Sequence, residues 1–177
     1  MTRYFPQTTR HDTKERNVVM SEFNLTKEQE QALLDARKGN PYIKRPDDCV
    51  DYPIPELEAS RTVMFDRETA GAEELTWLMS RFAPKTSFHN KHSHPKAEEI
   101  MYIARGKGVG GIGDKEVLLM EGDSIYVPKG VVHWFYNPYD EACDMMTLYT
   151  KPSLSESGYA LESGSYEDIS KKVESTW

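Results

Sequence analysis

Between Arg61 and Lys151 the sequence breaks into short apolar, β-branched and aromatic segments, each closed by a turn signal. The segments are Arg61 to Phe65, Leu75 to Phe82, Glu99 to Ala104, Gly108 to Ile112, Glu116 to Met120, Ser124 to Val127, Val131 to Tyr136 and Met145 to Tyr149. Breaks fall at Ala83-Pro84, Gly106, Gly113-Asp114, Glu121-Gly122-Asp123, Pro128-Lys129-Gly130 and Asn137-Pro138. Short strands recurring about every ten residues predict a sandwich or closed barrel, not a parallel sheet with crossover helices.

The flanks read differently. Residues 1–60 carry little strand signal, and one helix is predicted from Thr26, which can cap it with Gln29 completing a capping box. It runs through Ala32, Leu33, Leu34 and Ala36 and stops at Gly39, ahead of Pro41. The stretch from Pro41 to Pro55 holds four prolines and the acidic residues Asp47, Asp48 and Asp51. It reads as an extended segment laid over a sheet or a neighbouring subunit. From Pro152 the chain is rich in Ser and Glu, with a second helix predicted from Tyr166 to Ser175. The expected organisation is an N-terminal arm over 1–60, a barrel over 61–151 and a C-terminal arm over 152–177.

Leu, Ile, Val and Phe number 34 of 177 residues, a share that would suggest disorder if the net charge were also high. The charge is only −7, and 10 Tyr, 8 Met and 3 Trp supply part of the missing core. No basic stripe exists for a nucleic-acid backbone. No apolar run approaches the eighteen or so residues that span a bilayer. Met1 to Arg10 lacks the apolar stretch of a secretory signal. Cys49 and Cys143, 94 positions apart, read as two free thiols rather than a disulfide. These features describe a cytoplasmic protein without a membrane or nucleic-acid partner.

Four of the five histidines fall within 45 residues: His89, His92, His94 and His133. His92 and His94 are two apart, so in an extended strand both point to one face. Glu99 begins the next strand and His133 opens another. Three imidazoles and a carboxylate converging in a small barrel would hold a divalent transition metal: Fe(II), Mn(II), Ni(II), Co(II) or Zn(II).

The punctuation around these residues is more specific still. The first segment reads His92-Ser93-His94, four residues, Glu99, six residues, Gly106. The second reads Gly122, five residues, Pro128, one residue, Gly130, two residues, His133, three residues, Asn137. In these positions the chain resembles the cupin superfamily. The second motif matches throughout; the first lacks its opening glycine, having Phe88 or neighbours there. Fifteen residues separate Gly106 from Gly122, the short spacing of a single-barrel, type-2 cupin.

The resemblance implies an all-β fold, one antiparallel jelly-roll barrel with a metal in its mouth, and assembly as a homodimer or larger homo-oligomer. Carried over residue by residue, the metal ligands would be His92, His94, Glu99 and His133. Glu99 would also serve catalysis, since a carboxylate ligand can take a proton. Met101, Ile103 and Phe135 share the inward phase with Glu99 and His133 and would wall a substrate pocket, joined by His89 and Tyr149. Tyr102 and Trp134 fall in the opposite phase and would pack against the arms or a partner subunit. Arms that fold onto the barrel or exchange between subunits would bury Tyr42, Tyr52 or Trp134.

Cupins serve many functions, so three remain open at this stage. An Fe(II) dioxygenase acting on a small oxygen-bearing molecule is preferred, because apolar walls suit it. A Lewis-acid isomerase, epimerase or lyase would instead need further bases and hydroxyl-binding groups near the metal. A non-catalytic barrel that only binds a small molecule is the third.

Overall fold

The computed structural model describes residues 24–54, 58–85 and 88–162, and the chain divides into two compact units, 1–40 and 41–177. In the first unit helix α1 (Lys27–Asp35) starts where the sequence places it. The Gln29 amide donates to Thr26 Oγ1 at 3.2 Å, and the Thr26 amide donates to Gln29 Oε1 at 2.8 Å. Two amides that the helix itself leaves without acceptors are thereby satisfied. None of the residues of α1 is buried.

The second unit is built from antiparallel strands. A single 3-10 turn (Pro46–Asp48) leads into β1 (Asp51–Ile54), β2 (Ala59–Phe65), the short helix α2 (Arg67–Ala70) and β3 (Thr76–Phe82). Then follow β4 (Phe88–Ser93), β5 (Glu99–Arg105), β6 (Lys107–Ile112), β7 (Lys115–Met120), β8 (Ser124–Val127) and β9 (His133–Tyr136). The series closes with β10 (Cys143–Tyr149), helix α3 (Leu154–Ser157) and the two-residue β11 (Ala160–Leu161). One sheet has the order β1-β2-β3-β10-β5-β8 and the other β11-β4-β9-β6-β7. The two sheets are the sandwich that the turn spacing predicts and the jelly roll that the cupin resemblance implies, and they do not close into a strict barrel.

Three strands go beyond the sequence reading, each for a physical reason. β1 comes from the proline-rich stretch; Pro53 is tolerated because β1 lies at the edge of its sheet, where a missing N–H costs no ladder bond. β4 reads Phe-His-Asn-Lys-His-Ser and shows no apolar alternation, because its inward positions carry polar site residues. β11 is too short to leave a pattern. The helix expected from Tyr166 to Ser175 lies outside the described residues.

Strand alternation builds the core. On β10 the inward side chains of Cys143, Met145, Thr147 and Tyr149 are all buried. Strand register joins them to Phe82, Ser80, Leu78 and Thr76 of β3 and, through Met145, Thr147 and Tyr149, to Ile103, Met101 and Glu99 of β5. The lower part of the interior is apolar: Phe82, Met101, Ile103, Leu119, Ile125, Val127, Phe135, Cys143 and Met145 pack as one cluster. Cys143 and Cys49 are both free thiols.

The sharp turn between β5 and β6 requires glycine. Gly106 has φ +79°, and a Cβ there would meet the Ala142 carbonyl oxygen at 2.6 Å. Trp134, on the outer face of β9, is covered by this same chain, which departs from the sequence expectation. The Trp134 ring lies over Gly111, its Nε1 donates to Glu116 Oε1 at 2.9 Å, and Lys91 Nζ sits 4.2 Å above the ring centre. Tyr102 of the outer face is exposed, and so are Tyr42 and Tyr52, which the arms were expected to bury. Among the described residues no helix is long and apolar enough to cross a membrane.

Candidate metal centre

Each of the four motif side chains reaches the interior from a defined position. His92 is on β4 and in register with His133 at the start of β9, so both project from one sheet toward the other. His94 follows β4 directly, and its carbonyl oxygen accepts from the Gly130 amide at 3.0 Å. That bond ties the Pro128-Lys129-Gly130 turn of the second motif to the first. Glu99 opens β5 and approaches from the opposite sheet.

The four side chains converge. Relative exposure is 0% for His92, 2% for His94, 2% for Glu99 and 0% for His133. One ligand atom from each lies within 4.8 Å of all the others. His133 Nε2 is 2.7 Å from Glu99 Oε2, and His94 Nε2 is 3.6 Å from the same oxygen.

The hydrogen bonds of the imidazoles fix what this cluster can do. His92 Nδ1 lies 2.6 Å from the Asn90 carbonyl oxygen, His94 Nδ1 2.6 Å from that of Gly158, and His133 Nδ1 3.0 Å from that of Val131. A carbonyl oxygen only accepts, so each Nδ1 carries the proton and each neutral ring presents an Nε2 lone pair inward. His92 Nε2 and His94 Nε2 then stand 3.2 Å apart as two acceptors, with the Glu99 carboxylate beside them. Such an electron-rich cluster is complete only with a cation. Ring N–H groups held by backbone carbonyls are the outer shell that metal-binding histidines require. The donor set therefore fits a divalent first-row metal.

The electrostatics of the protein groups alone set the rings apart. Burial lowers the His94 pKa, against the opposing charge of Glu99, which keeps the ring neutral and ready to ligate. For His133 burial also acts downward, but the charge and contact of Glu99 and the Val131 carbonyl raise it overall. Burial, then the charge of Glu99, lifts the Tyr149 phenol well above its ordinary value, so it stays protonated beside the Glu99 carboxylate.

Of the other residues expected at the site, Tyr149 meets His94 edge-on with ring centres 4.8 Å apart. Met101, Ile103 and Phe135 are buried in the apolar cluster beneath Glu99. The side chain of His89 lies outside the described residues.

Sequence reasoning missed three residues. Tyr159 stacks on His92 at 4.5 Å with an interplanar angle of 19°, yet it belongs to a segment read as a polar arm. Arg61 is 6% exposed inside the fold and was read as a strand terminus, where a charge is unremarkable. Burial lowers its pKa, opposed by Tyr149, Tyr159 and Glu99. Asn90 is 1% exposed, and neither its Nδ2 nor its Oδ1 has a hydrogen-bond partner among the described residues.

Fold and site together define a class: an antiparallel jelly roll in which three imidazoles and a carboxylate close on one point between the sheets. Residues 78–149 match the family model of the cupin domain, and the chain carries a domain of the cupin superfamily. That match runs from β3 to β10 and contains all four candidate ligands.

Curated relatives include germin-like proteins of Oryza sativa subsp. japonica. Germin-like protein 3-8 is 29% identical over 77 residues, 40% of this chain and 34% of that protein. Germin-like protein 11-1 is 39% identical over 51 residues, 26% of this chain and 23% of that protein. The aligned part thus spans about a third or less of the length of these relatives. Among solved structures, an oxalate oxidase superposes with a TM-score of 0.57 at 16% identity, covering 70% of this chain and 65% of that one. A predicted oxalate decarboxylase from Thermotoga maritima gives 0.56 at 18% identity, covering 62% of this chain and 98% of that one. These two likenesses are of fold.

Proposed function

We propose that this cupin domain is a metal-dependent enzyme that holds one divalent transition metal through His92, His94, Glu99 and His133 and acts on a small oxygen-bearing organic molecule. The observation that carries the reading is the set of three Nδ1–carbonyl contacts, which leave three Nε2 lone pairs and one carboxylate directed at a single buried point. When bound there, the metal would supply Lewis acidity and, as Fe(II), access to one-electron and dioxygen chemistry. Three neutral nitrogens and one carboxylate leave an octahedral ion room for further ligands.

The protein's own groups divide the remaining work. Glu99 holds or accepts a proton at its carboxylate, and Tyr149, paired with it across β10 and β5, keeps a protonated hydroxyl next to that charge. Met101, Ile103 and Phe135 form an apolar floor that keeps bulk water from the lower side. That floor favours oxidative chemistry on a compact molecule over sugar isomerisation, which needs a row of hydroxyl-binding groups. The oxalate oxidase likeness is in keeping with oxidative chemistry and the oxalate decarboxylase likeness with a lyase; both act on a compact molecule.

Elemental analysis, followed by oxygen-electrode assays after anaerobic Fe(II) loading, tests the reading. Near-stoichiometric metal and substrate-dependent oxygen uptake on small hydroxy- or keto-acids are expected. Stoichiometric metal with no oxygen uptake, but turnover of sugars, would instead assign Lewis-acid isomerase chemistry. We also propose assembly into a homo-oligomer, which would cover the half-exposed Ile100, Tyr102 and Tyr126 on the outer face of β5 and β8. A monomer in light scattering would contradict it.

A further inference from the structure

The four converging side chains are sealed as well as gathered. Each is at most 2% exposed, and the facing atoms Glu99 Oε2 and His133 Nε2 are buried. An ion or a substrate reaches them only if some part of the surrounding structure moves. Four of the surrounding strands, β4, β5, β9 and β10, are interior strands, paired on both sides within their sheets. The exception is the segment 158–162, which meets the histidine rings from a sheet edge.

This segment is anchored upstream and lies at the rim beyond its anchor. Ser153 caps α3, whose Glu156 pairs with Arg67 through Nη1–Oε1 at 2.6 Å and Nη2–Oε2 at 3.4 Å, and Ser157 is fully buried. Gly158 then turns the chain with φ +72° and ψ 155°, a combination open in practice to glycine alone. A Cβ there would also stand 3.2 Å from Pro95. Past that point β11 pairs Ala160 with Ser93 and Leu161 with His92, and the Glu162 amide donates to the Lys91 carbonyl at 2.9 Å. As an edge strand of two residues, β11 can part from β4 with every other strand pair among the described residues intact. The same short run carries the Gly158 carbonyl that holds His94 and the Tyr159 ring, which stacks on His92 and meets His94 edge-on at 5.8 Å. Tyr159 is half-buried while both of those rings are sealed, which puts it between them and the surface.

We propose that Gly158 is a hinge and the segment 159–162 a latch whose opening admits the metal ion and whose closure retains it. Closure seats Tyr159 on His92 and the Gly158 carbonyl on His94 Nδ1. Opening and ligation are thereby coupled, because the rings lose their outer support as the path clears. Local opening draws on edge elements with short ladders, and a hinge is a residue at the end of an element that absorbs the backbone change. The latch lies beyond residue 149, where the match to the cupin domain model ends. This inference rests on the metal-site reading above.

The test follows Co(II) uptake by metal-free full-length protein and Co(II) release to a chromophoric chelator. Ser93→Cys with Ala160→Cys, in a Cys49→Ser background, places a cysteine pair in register across β4 and β11. Oxidised with glutathione disulfide before loading, this variant should exchange Co(II) at least about tenfold more slowly in both directions. Reduction should restore the wild-type rates. Glu162→Pro removes the amide that bonds Lys91 and should speed uptake and release together. Weaker ligation alone would speed release and leave uptake unchanged. Unchanged uptake in Glu162→Pro overturns the proposal, and so do equal exchange rates with the crosslink oxidised and reduced. If the crosslink does not form, Glu162→Pro decides alone. Wild-type protein that takes up no Co(II) overturns the metal reading itself, so the two failures are distinguishable.

Discussion

His94 Nδ1 lies 2.6 Å from the carbonyl oxygen of Gly158, so a metal-ligand candidate of the first cupin motif is oriented by a residue 64 positions downstream. Gly158 lies after the segment that matches the cupin domain model. Its position is fixed by β11, where Ala160 and Leu161 pair with Ser93 and His92. Tyr159, between them, stacks on His92. The C-terminal segment is therefore part of the ligand scaffold.

Tyr159→Ala removes the ring that backs His92 while leaving the backbone pairing of β11. Metal affinity should fall by about 10–100-fold, the usual effect of loosening a ligand's support, with melting temperature little changed. Competition against a chromophoric chelator measures it. Unchanged affinity would show that the β11 backbone alone orients the ligands.

Gly111→Ala should destabilise the fold without touching the site. A Cβ there would stand 1.9 Å from the Trp134 ring, which is itself pinned by Glu116 and Lys91. Overpacking of this kind costs about 1–3 kcal/mol. Chemical unfolding would register the loss, while metal content should stay that of wild type.

Asn137 closes the second motif but does not reach the metal cluster. Its Nδ2 donates to the Ala83 carbonyl at 2.9 Å and the Glu141 carbonyl at 2.7 Å, and its Oδ1 accepts from the Tyr139 amide at 3.1 Å. Asn137→Ala would strand these groups, at about 1–3 kcal/mol for each one left buried. A lower unfolding midpoint with unaltered metal binding is expected.

Much of this was legible because it is local. Thr26 and Gln29 signal their helix three residues apart, and the turn glycines and prolines mark strand ends directly. The four residues that converge were readable because a motif fixes their spacing on two short segments. Arg61 and Tyr159 were not. Each meets the site only through sheet pairing, β2 across β3 and β10, and β11 against β4, and neither register is written in local pattern. β4 itself escaped the hydropathy reading because its buried positions carry the polar residues Asn90 and His92. Trp134 was assigned to an arm or partner subunit because the glycine that lets its own sheet cover it, Gly111, lies on another strand.

Cys143 predicts a pH dependence of stability. Burial, then the charge of Asp144, pushes its thiol from 9.0 up to about 12. Between those values the unfolded chain has lost a proton that the folded chain retains, so the stabilisation is complete below about pH 9 and is lost as pH rises toward about 12. Unfolding free energy measured at pH 8, 9.5 and 11 should fall more steeply for wild type than for Cys143→Ala, by up to about 1.4 kcal/mol per pH unit. Parallel profiles would contradict the assignment. In the same protein at pH 8, a thiol reagent should leave Cys143 unmodified until the fold opens.

His92, His94, Glu99 and His133 meet at one point in space. The most direct test that this point holds a metal is the metal content of purified wild-type protein beside His94→Ala and His133→Ala, with circular dichroism showing that each variant is folded. Close to one divalent transition-metal ion per chain in wild type, and a large loss in each folded variant, is the predicted result. Metal retained at wild-type level in the folded variants, or absent from wild type after loading, would contradict it.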